Sequence, residues 1–255
     1  MKQEEKGEIN INKEQLYKAI LDLRNLLLKC GIKYPLDIFD ICNNFSNLEI
    51  SAVPFVTDGL RGMASLANAE SPVNCILINS KLSQEEQNFH GMHEFIHIVL
   101  ANGKKGLTFK CYDKVQPFQN SYVEWLANEG AAELILPHDV LLPYIKEKIK
   151  TFDDNILGVY NLVYEIACNY KVSPVVVQNR LNSLRYEIYQ YLCGCDINNI
   201  KILSKTQQKK LGIEIDSLND IENRRLTETW LNSDKSVIVK PFFSYSKSYK
   251  NLLAM

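Results

Sequence analysis

The five residues HEFIH, from His93 to His97, carry the densest chemistry in the chain. Two histidines four apart in a helix leave the same face one turn above each other, so both imidazoles can reach a single tetrahedral zinc ion. Glu94 lies beside them, turned by about 100° around the helix axis, which sets its carboxylate next to a zinc-bound water instead of on the metal, the place of a general base. Phe95 and Ile96 continue an apolar stripe that would anchor the helix to a core. Such pentapeptides also arise by chance, and a helical histidine can equally be a satisfied core or surface residue. Agreement across levels separates the two cases: an apolar strand precedes the motif, an unbroken helix surrounds it, and a carboxylate-bearing helix follows.

A catalytic zinc takes three protein ligands and keeps a fourth position for water, so a third side chain must come from another element. Glu124 is the best candidate, in EWLANEGAAELILP, where Ala127, Ala131 and Ala132 are small enough to let that helix approach the histidine helix closely. Asn128 shares the face of Glu124 and can accept a hydrogen bond from a ligand imidazole, a partner assigned to His93. Glu129 points about 140° away from Glu124 and Glu133 lies more than two turns further along, so both read as ion-pair or surface residues. His90 sits one turn before His93; a fourth protein ligand would close the water position, so it is read as supporting or surface. His138, in a loop after Pro137, is weighed as a catalytic assistant against a structural role.

The elements that must position these groups follow from the hydrophobic pattern. Leu16, Ile20, Leu23 and Leu27 predict an amphipathic helix over Lys13 to Cys30, ending at Gly31, and Pro35 can open a second short helix. Leu48 to Phe55 and Cys75 to Ser80 read as strands, with DGLRGMASLA as a middle strand between them. Ser83 and Glu86 form a capping-box pattern that opens a helix to Ala101. The following loop, with Gly103, Gly106 and Pro117, is long enough to bear function or hide short strands. Helices are then expected over Ser121 to Leu136, Val140 to Lys150, Leu157 to Tyr170 and Val175 to Leu192, followed by a helix near Leu218 to Leu231 and a strand at Ser236 to Lys240.

Composition bounds the function. With 46% hydrophobic and 23% charged residues in 255, the chain can bury a full core, and a net charge of −1 gives no global attraction to nucleic acid. A polar, acidic N-terminus and the lack of a long apolar stretch predict a cytoplasmic protein without a membrane span. The seven cysteines lack framework spacing and are expected to be mostly reduced core residues; Cys193 and Cys195 are too close together for a zinc ribbon. The fold class expected is α+β: a small metallopeptidase domain over residues 1–150 with a short sheet packed on the HExxH helix, a helical segment over 151–195, and an accessory region over 196–255.

The stretch ILINSKLSQEEQNFHGMHEFIHIVL, followed by VEWLANEGAAELILP, resembles the ImmA/IrrE family of metallo-endopeptidases over about Leu48 to Leu184. The resemblance implies a zincin-like domain, one zinc ion held by His93, His97 and Glu124, and Glu94 as catalytic acid and base. It also implies a partner: such enzymes typically cleave helix-turn-helix repressor proteins and so release genes of mobile elements or stress responses. The chain departs from the family pattern at His90-Gly91-Met92, at Ile96, where glycine is frequent, and at Gly130, which replaces the usual phenylalanine. A donor for the tetrahedral oxyanion is also required, and Tyr112, Tyr122 and His138 are the nearest candidates in sequence. An extended substrate could pair along an edge strand in the Gly62 to Leu66 region.

Two rival readings stand beside this one. Tyr164 to Leu184 has the rhythm of a helix-turn-helix, which would make the chain a DNA-binding regulator; but its second helix offers chiefly Arg180 and Arg185 as cations, and Val175, Val176 and Val177 suit packing better than base contact, so a structural or substrate-docking role is favoured and direct DNA binding is not expected. The other rival keeps the zinc but denies catalysis, making the chain a sensor or scaffold that binds a repressor without cutting it.

Overall fold

The computed structural model describes residues 11–101, 103–149 and 156–215, and every structural statement concerns these. The polar leader before Ile11, the helix expected near Leu218 and the strand expected at Ser236 lie outside them. Asn12 opens α1 (Lys13–Lys29) with a capping box, its side chain accepting from the Gln15 backbone while the Gln15 side chain returns the bond. The helix buries Leu16, Tyr17, Ile20 and Leu27. Helix α2 (Ile38–Asn43) starts three residues after Pro35, capped by Asp37, whose carboxylate accepts from the Phe39 N–H. Proline therefore precedes this helix without opening it.

Strands β1 (Leu48–Val53), β2 (Leu60–Ser65), β3 (Asn74–Asn79) and β4 (Thr108–Tyr112) form a sheet in the order β1-β3-β2-β4. β1 runs parallel to β3, while β2 is antiparallel to both β3 and β4. The middle strand in sequence is thus an interior strand of the sheet. This corrects the expected substrate edge at Gly62 to Leu66: β2 spends its main-chain groups on two neighbours, and among the described residues the free edges belong to β1 and β4. The reason is the short β4, five residues hidden in the long loop after the histidine helix.

Helix α3 (Gln84–Leu100) lies across β2, β3 and β4, and α4 (Ser121–Ile135) packs on its other side together with α1. Helices α5 (His138–Ile149), α6 (Ile156–Tyr170), α7 (Pro174–Ser183) and α8 (Arg185–Leu192) follow, then a short 3-10 turn (Ile197–Asn199) and α9 (Lys205–Lys210). The expected helix over Val175 to Leu192 is two helices divided at Leu184, and His138 begins a helix instead of sitting in a loop. One buried apolar cluster runs from Leu16 through Ile78, Met92, Ala131 and Leu142 to Leu181 and Ile188. Cysteine burial differs from expectation: Cys42 and Cys111 are buried, but Cys30, Cys168 and Cys193 are exposed, and all seven are free. No helix among the described residues is long and apolar enough to cross a membrane.

Candidate active site

Helix α3 is anchored at its start by Ser83, whose hydroxyl accepts from the Glu86 N–H while the Glu86 carboxylate accepts from the Ser83 N–H. Such a cap fixes the first turn, and with it the rotation of the histidines two turns later. Helix α4 starts on Asn120, whose side-chain oxygen accepts from the Tyr122 and Val123 amides, so Glu124 projects from the first turn. The two helices come close because Ala127 and Ala131 are fully buried between them and because Gly130 faces Ile96. A Cβ on Gly130 would lie 3.0 Å from Ile96 Cγ2. Gly130 and Ile96 therefore meet across this seam, the glycine on α4 leaving room for the isoleucine side chain of α3.

This close packing brings three side chains to a point. His93 Nε2 lies 3.0 Å from His97 Nε2 and 3.3 Å from Glu124 Oε2, and His97 Nε2 lies 3.6 Å from Glu124 Oε1. Ligand atoms about 2.0–2.1 Å from one tetrahedral ion sit about 3.3 Å from each other, so the three separations fit a single small divalent cation. The donor set of two imidazoles and one carboxylate also suits zinc. Asn128 Oδ1 lies 3.0 Å from His93 Nδ1. Because the amide oxygen only accepts, His93 carries its proton on Nδ1 and leaves the Nε2 lone pair toward the cluster. Phe109 of β4 stacks flat on His97, with centroids 4.5 Å apart and planes 8° apart, and holds that ring against rotation.

Glu94 is the anomaly of the site. Its exposure is 0%, and among the described residues neither carboxylate oxygen has a hydrogen-bond partner of good geometry. Burial pushes its pKa well above the ordinary carboxylate value, the nearby Glu124 adds to this, and the Cys111 backbone pulls weakly the other way. β2 can pass over it only at glycine: a Cβ on Gly62 would lie 3.0 Å from Glu94 Oε1. Glu124 behaves oppositely. Burial raises it, but the adjoining His93 and His97 rings outweigh that and hold it at about 2. Burial also lowers His97, against the pull of Glu124, and lowers His90 to about 4, with His93 and Arg61 adding to the effect. A buried carboxyl without partners beside two imidazoles and a second carboxylate is an arrangement left incomplete by protein atoms alone.

Residues 52–182, just over half of the chain, match the Peptidase_M78 family, described as the IrrE N-terminal-like domain. The chain belongs to this family. No curated protein matches it. Membership in Peptidase_M78 makes the chain a member of a metallopeptidase family, and the matched span contains the α3 and α4 residues just described.

The remaining expected site residues of this Peptidase_M78 chain are scattered. The hydroxyl of Tyr122 is engaged by the N-terminal segment, accepting from the Ile11 N–H at 2.8 Å and donating to the Ile11 carbonyl at 2.6 Å. His138 Nδ1 lies 2.7 Å from Glu133 Oε1, on the far side of α4, and its ring packs on Tyr17. Tyr112 is on β4 next to Cys111, but strand alternation turns it away from the face that bears Phe109 and Cys111, and it meets Phe118 edge-on. His90 is close to Cys111, Nδ1 to Sγ 3.4 Å. Phe109 and Cys111 escaped the sequence reading, and Gly62 was read only as part of a substrate edge, not as the neighbour of Glu94. A glycine inside a strand is a signal of close approach and could have pointed to Gly62.

Glu129 and Glu133 form ion pairs, as one of their two expected roles had it, but they are buried. Arg180, 1% exposed, reaches from α7 to both. Its guanidinium also donates to Tyr17 Oη and to the Leu136 carbonyl. Glu129 further accepts from Tyr17 Oη and Ser183 Oγ, and Lys13 bridges to Glu187 at 3.0 Å. A second group with metal-ligand spacing, Glu133, His138 and Asp139, is already occupied by cations, Glu133 by Arg180 and Asp139 by Arg24.

Proposed function

We propose that the chain is a zinc-dependent endopeptidase that cuts a helix-turn-helix repressor protein, with His93, His97 and Glu124 as metal ligands. The observation that carries this reading is the convergence of those three donors beside a buried Glu94 whose carboxylate no protein group satisfies. When bound, zinc supplies Lewis-acid polarisation of a peptide carbonyl and acidifies a water at neutral pH. Glu94 takes the proton of the attacking water on its carboxylate and delivers it to the leaving amine nitrogen. With a divalent cation held by His93, His97 and Glu124, the Glu94 carboxylate would be favoured in its ionised form and would serve as the base. Asn128 keeps His93 in the tautomer that donates away from the cluster, and Phe109 keeps His97 in plane. The free edge of β4, next to the site through Phe109 and Cys111, gives an extended substrate main-chain partners.

The repressor as substrate rests on resemblance and not on geometry. Against the DNA-binding rival stands Arg180, the cation of the α7 face, which is withdrawn into the protein. Against the scaffold rival stands Glu94 itself, a costly buried group that metal binding alone does not require.

The test is Glu94→Gln. Zinc content measured by atomic emission is expected to match wild type, while hydrolysis of a candidate repressor falls by a factor on the order of 10³ or more. Retained cleavage by Glu94→Gln would defeat the proposed mechanism, and absence of bound metal in wild type would defeat the ligand set.

A further inference from the structure

The main-chain groups of β4 alternate between β2 and the outside. Leu107 O accepts from the Leu66 N–H and Asp113 N–H donates to Gly59 O, so the odd-numbered residues face β2. Thr108, Lys110 and Tyr112 then turn their N–H and C=O groups to the free edge. One of these acceptors is taken: Gln119 Nε2 donates to Lys110 O at 2.7 Å. Gln119 in turn is held by the Gln116 N–H, which donates to its Oε1 at 2.7 Å. A side-chain amide thus stands where the N–H of an added strand would stand.

The charge along this edge is one-sided. Between 103 and 119 the charged residues are Lys104, Lys105, Lys110, Lys114 and Asp113, all exposed, and Asp113 is held by Arg61. None of the four lysines forms an ion pair among the described residues. The adjoining turns add only Asp58 and Glu70 as exposed acids. In an added antiparallel strand, the side chain opposite Lys110 lies about 4.5–5.5 Å from it, where opposite charges stabilise and like charges destabilise.

We infer that the β4 edge selects extended protein segments carrying acidic side chains, and that Gln119 keeps the edge closed until such a segment displaces it. The inference rests on the peptidase reading above and names the substrate class of that same site. The net charge of −1 hides this strip, because only four of the 29 lysines and arginines lie on it, beside a single acid, and the balance is made up elsewhere in the chain. A peptide fits better than a nucleic acid because the edge offers paired donors and acceptors at strand spacing, which phosphates cannot answer on both sides.

The experiment uses full-length zinc-loaded Glu94→Gln protein and fluorescent peptides of alternating Val and Glu, Val and Gln, or Val and Lys, followed by anisotropy. The acidic peptide is expected to bind tightest, with the advantage fading at high salt as exposed charges are screened. Lys110→Glu should weaken it roughly fivefold, and reversal of all four lysines roughly thirtyfold or more, with the preference passing to the basic peptide. Gln119→Ala should tighten all three peptides by roughly threefold, since a main-chain acceptor is freed. Unchanged zinc content shows that the variants are folded. Equal binding of the three peptides, or a preference that survives the fourfold reversal, overturns the inference, as does duplex DNA that displaces the acidic peptide through the same lysines. No gain from Gln119→Ala overturns the part given to Gln119. Cleavage of an unfolded test protein by wild type reads the peptidase function separately. Charge-selective binding without cleavage supports the edge and sinks the peptidase, whereas cleavage without charge preference does the reverse.

Discussion

Helix α4 borders two buried polar clusters, and they are built in opposite ways. On one face Glu124 meets His93 and His97, with Glu94 close by holding two unpartnered oxygens. On another, Glu129 and Glu133 are saturated by Arg180, Tyr17 and Ser183, with His138 on Glu133. Both contain carboxylates out of water, so burial alone does not mark function. Satisfaction does: a buried polar group without a partner costs free energy, and a fold keeps it only where something else needs it. The Arg180 cluster ties α7 and α8 to α4 and α1, and even its Glu187, with Oε2 unpartnered, keeps Oε1 on Lys13 and the Leu203 N–H; Glu94 has neither oxygen paired, and that is where the chemistry is proposed.

The largest effect that would sharpen this contrast is expected from Arg180→Met. It leaves Glu129 and Glu133 buried without their cation, which costs about 3–5 kcal/mol and lowers the melting temperature on the order of 10 °C. Burial pushes Glu129 up, but Lys13, Arg180 and the hydroxyls outweigh it and hold it below the ordinary value. A lowered carboxyl contributes stability above the unfolded pKa of about 4.3 and loses it as pH falls through the folded value. The deficit of Arg180→Met should therefore be greatest near neutrality and shrink in acid. Denaturant melts at neutral and acidic pH would show this, and a pH-independent deficit would mean that packing, not charge, ties α7 down.

Glu94→Met should move stability the other way, by about 1–3 kcal/mol, because an unbranched apolar side chain replaces an unpartnered polar one. The folded pKa of Glu94 is raised, so the metal-free folded state holds its proton where the unfolded state releases it. Stability of metal-free wild type then falls as pH rises above about 4.3, and the variant lacks this fall. Melting curves of both proteins after chelation should diverge with rising pH. If the variant were no more stable than wild type at neutral pH, Glu94 would have partners that the structure does not show, and the comparison would fail.

The two clusters were unequally legible in the sequence. His93, Glu94 and His97 are local, fixed by one helical repeat, and Glu124 and Asn128 follow from a second helix whose alanines announce close packing. α1, read from its apolar spacing, and α3, read from its Ser83–Glu86 capping signal, were readable for the same reason. The Arg180 cluster was not readable, because it joins residues from 13 to 187 that no local pattern relates. Arg180 was weighed only as one of the few cations a recognition helix could offer, since sequence periodicity does not say which face of α7 is turned inward. The β4 edge failed similarly: five residues among glycines and lysines carry too little alternation to displace β2 as the apparent edge.

The smallest effect concerns the seam on which both clusters depend, where Gly130 meets Ile96. In a helix interior, alanine is favoured over glycine by about 0.8–1.0 kcal/mol. Against this, the new Cβ would lie 3.0 Å from Ile96 Cγ2 and 3.4 Å from Ile20 Cδ1, and forcing extra bulk into a packed seam costs about 1–3 kcal/mol. Gly130→Ala is therefore expected to destabilise slightly, by about 1 kcal/mol. In an Ile96→Ala background the nearest atom is gone, only the propensity gain remains, and the same substitution should stabilise by about 1 kcal/mol. Denaturation midpoints of the four proteins in this cycle read the sign directly. Should Gly130→Ala have the same sign in both backgrounds, Ile96 is not what sets the spacing of α3 and α4 at this seam.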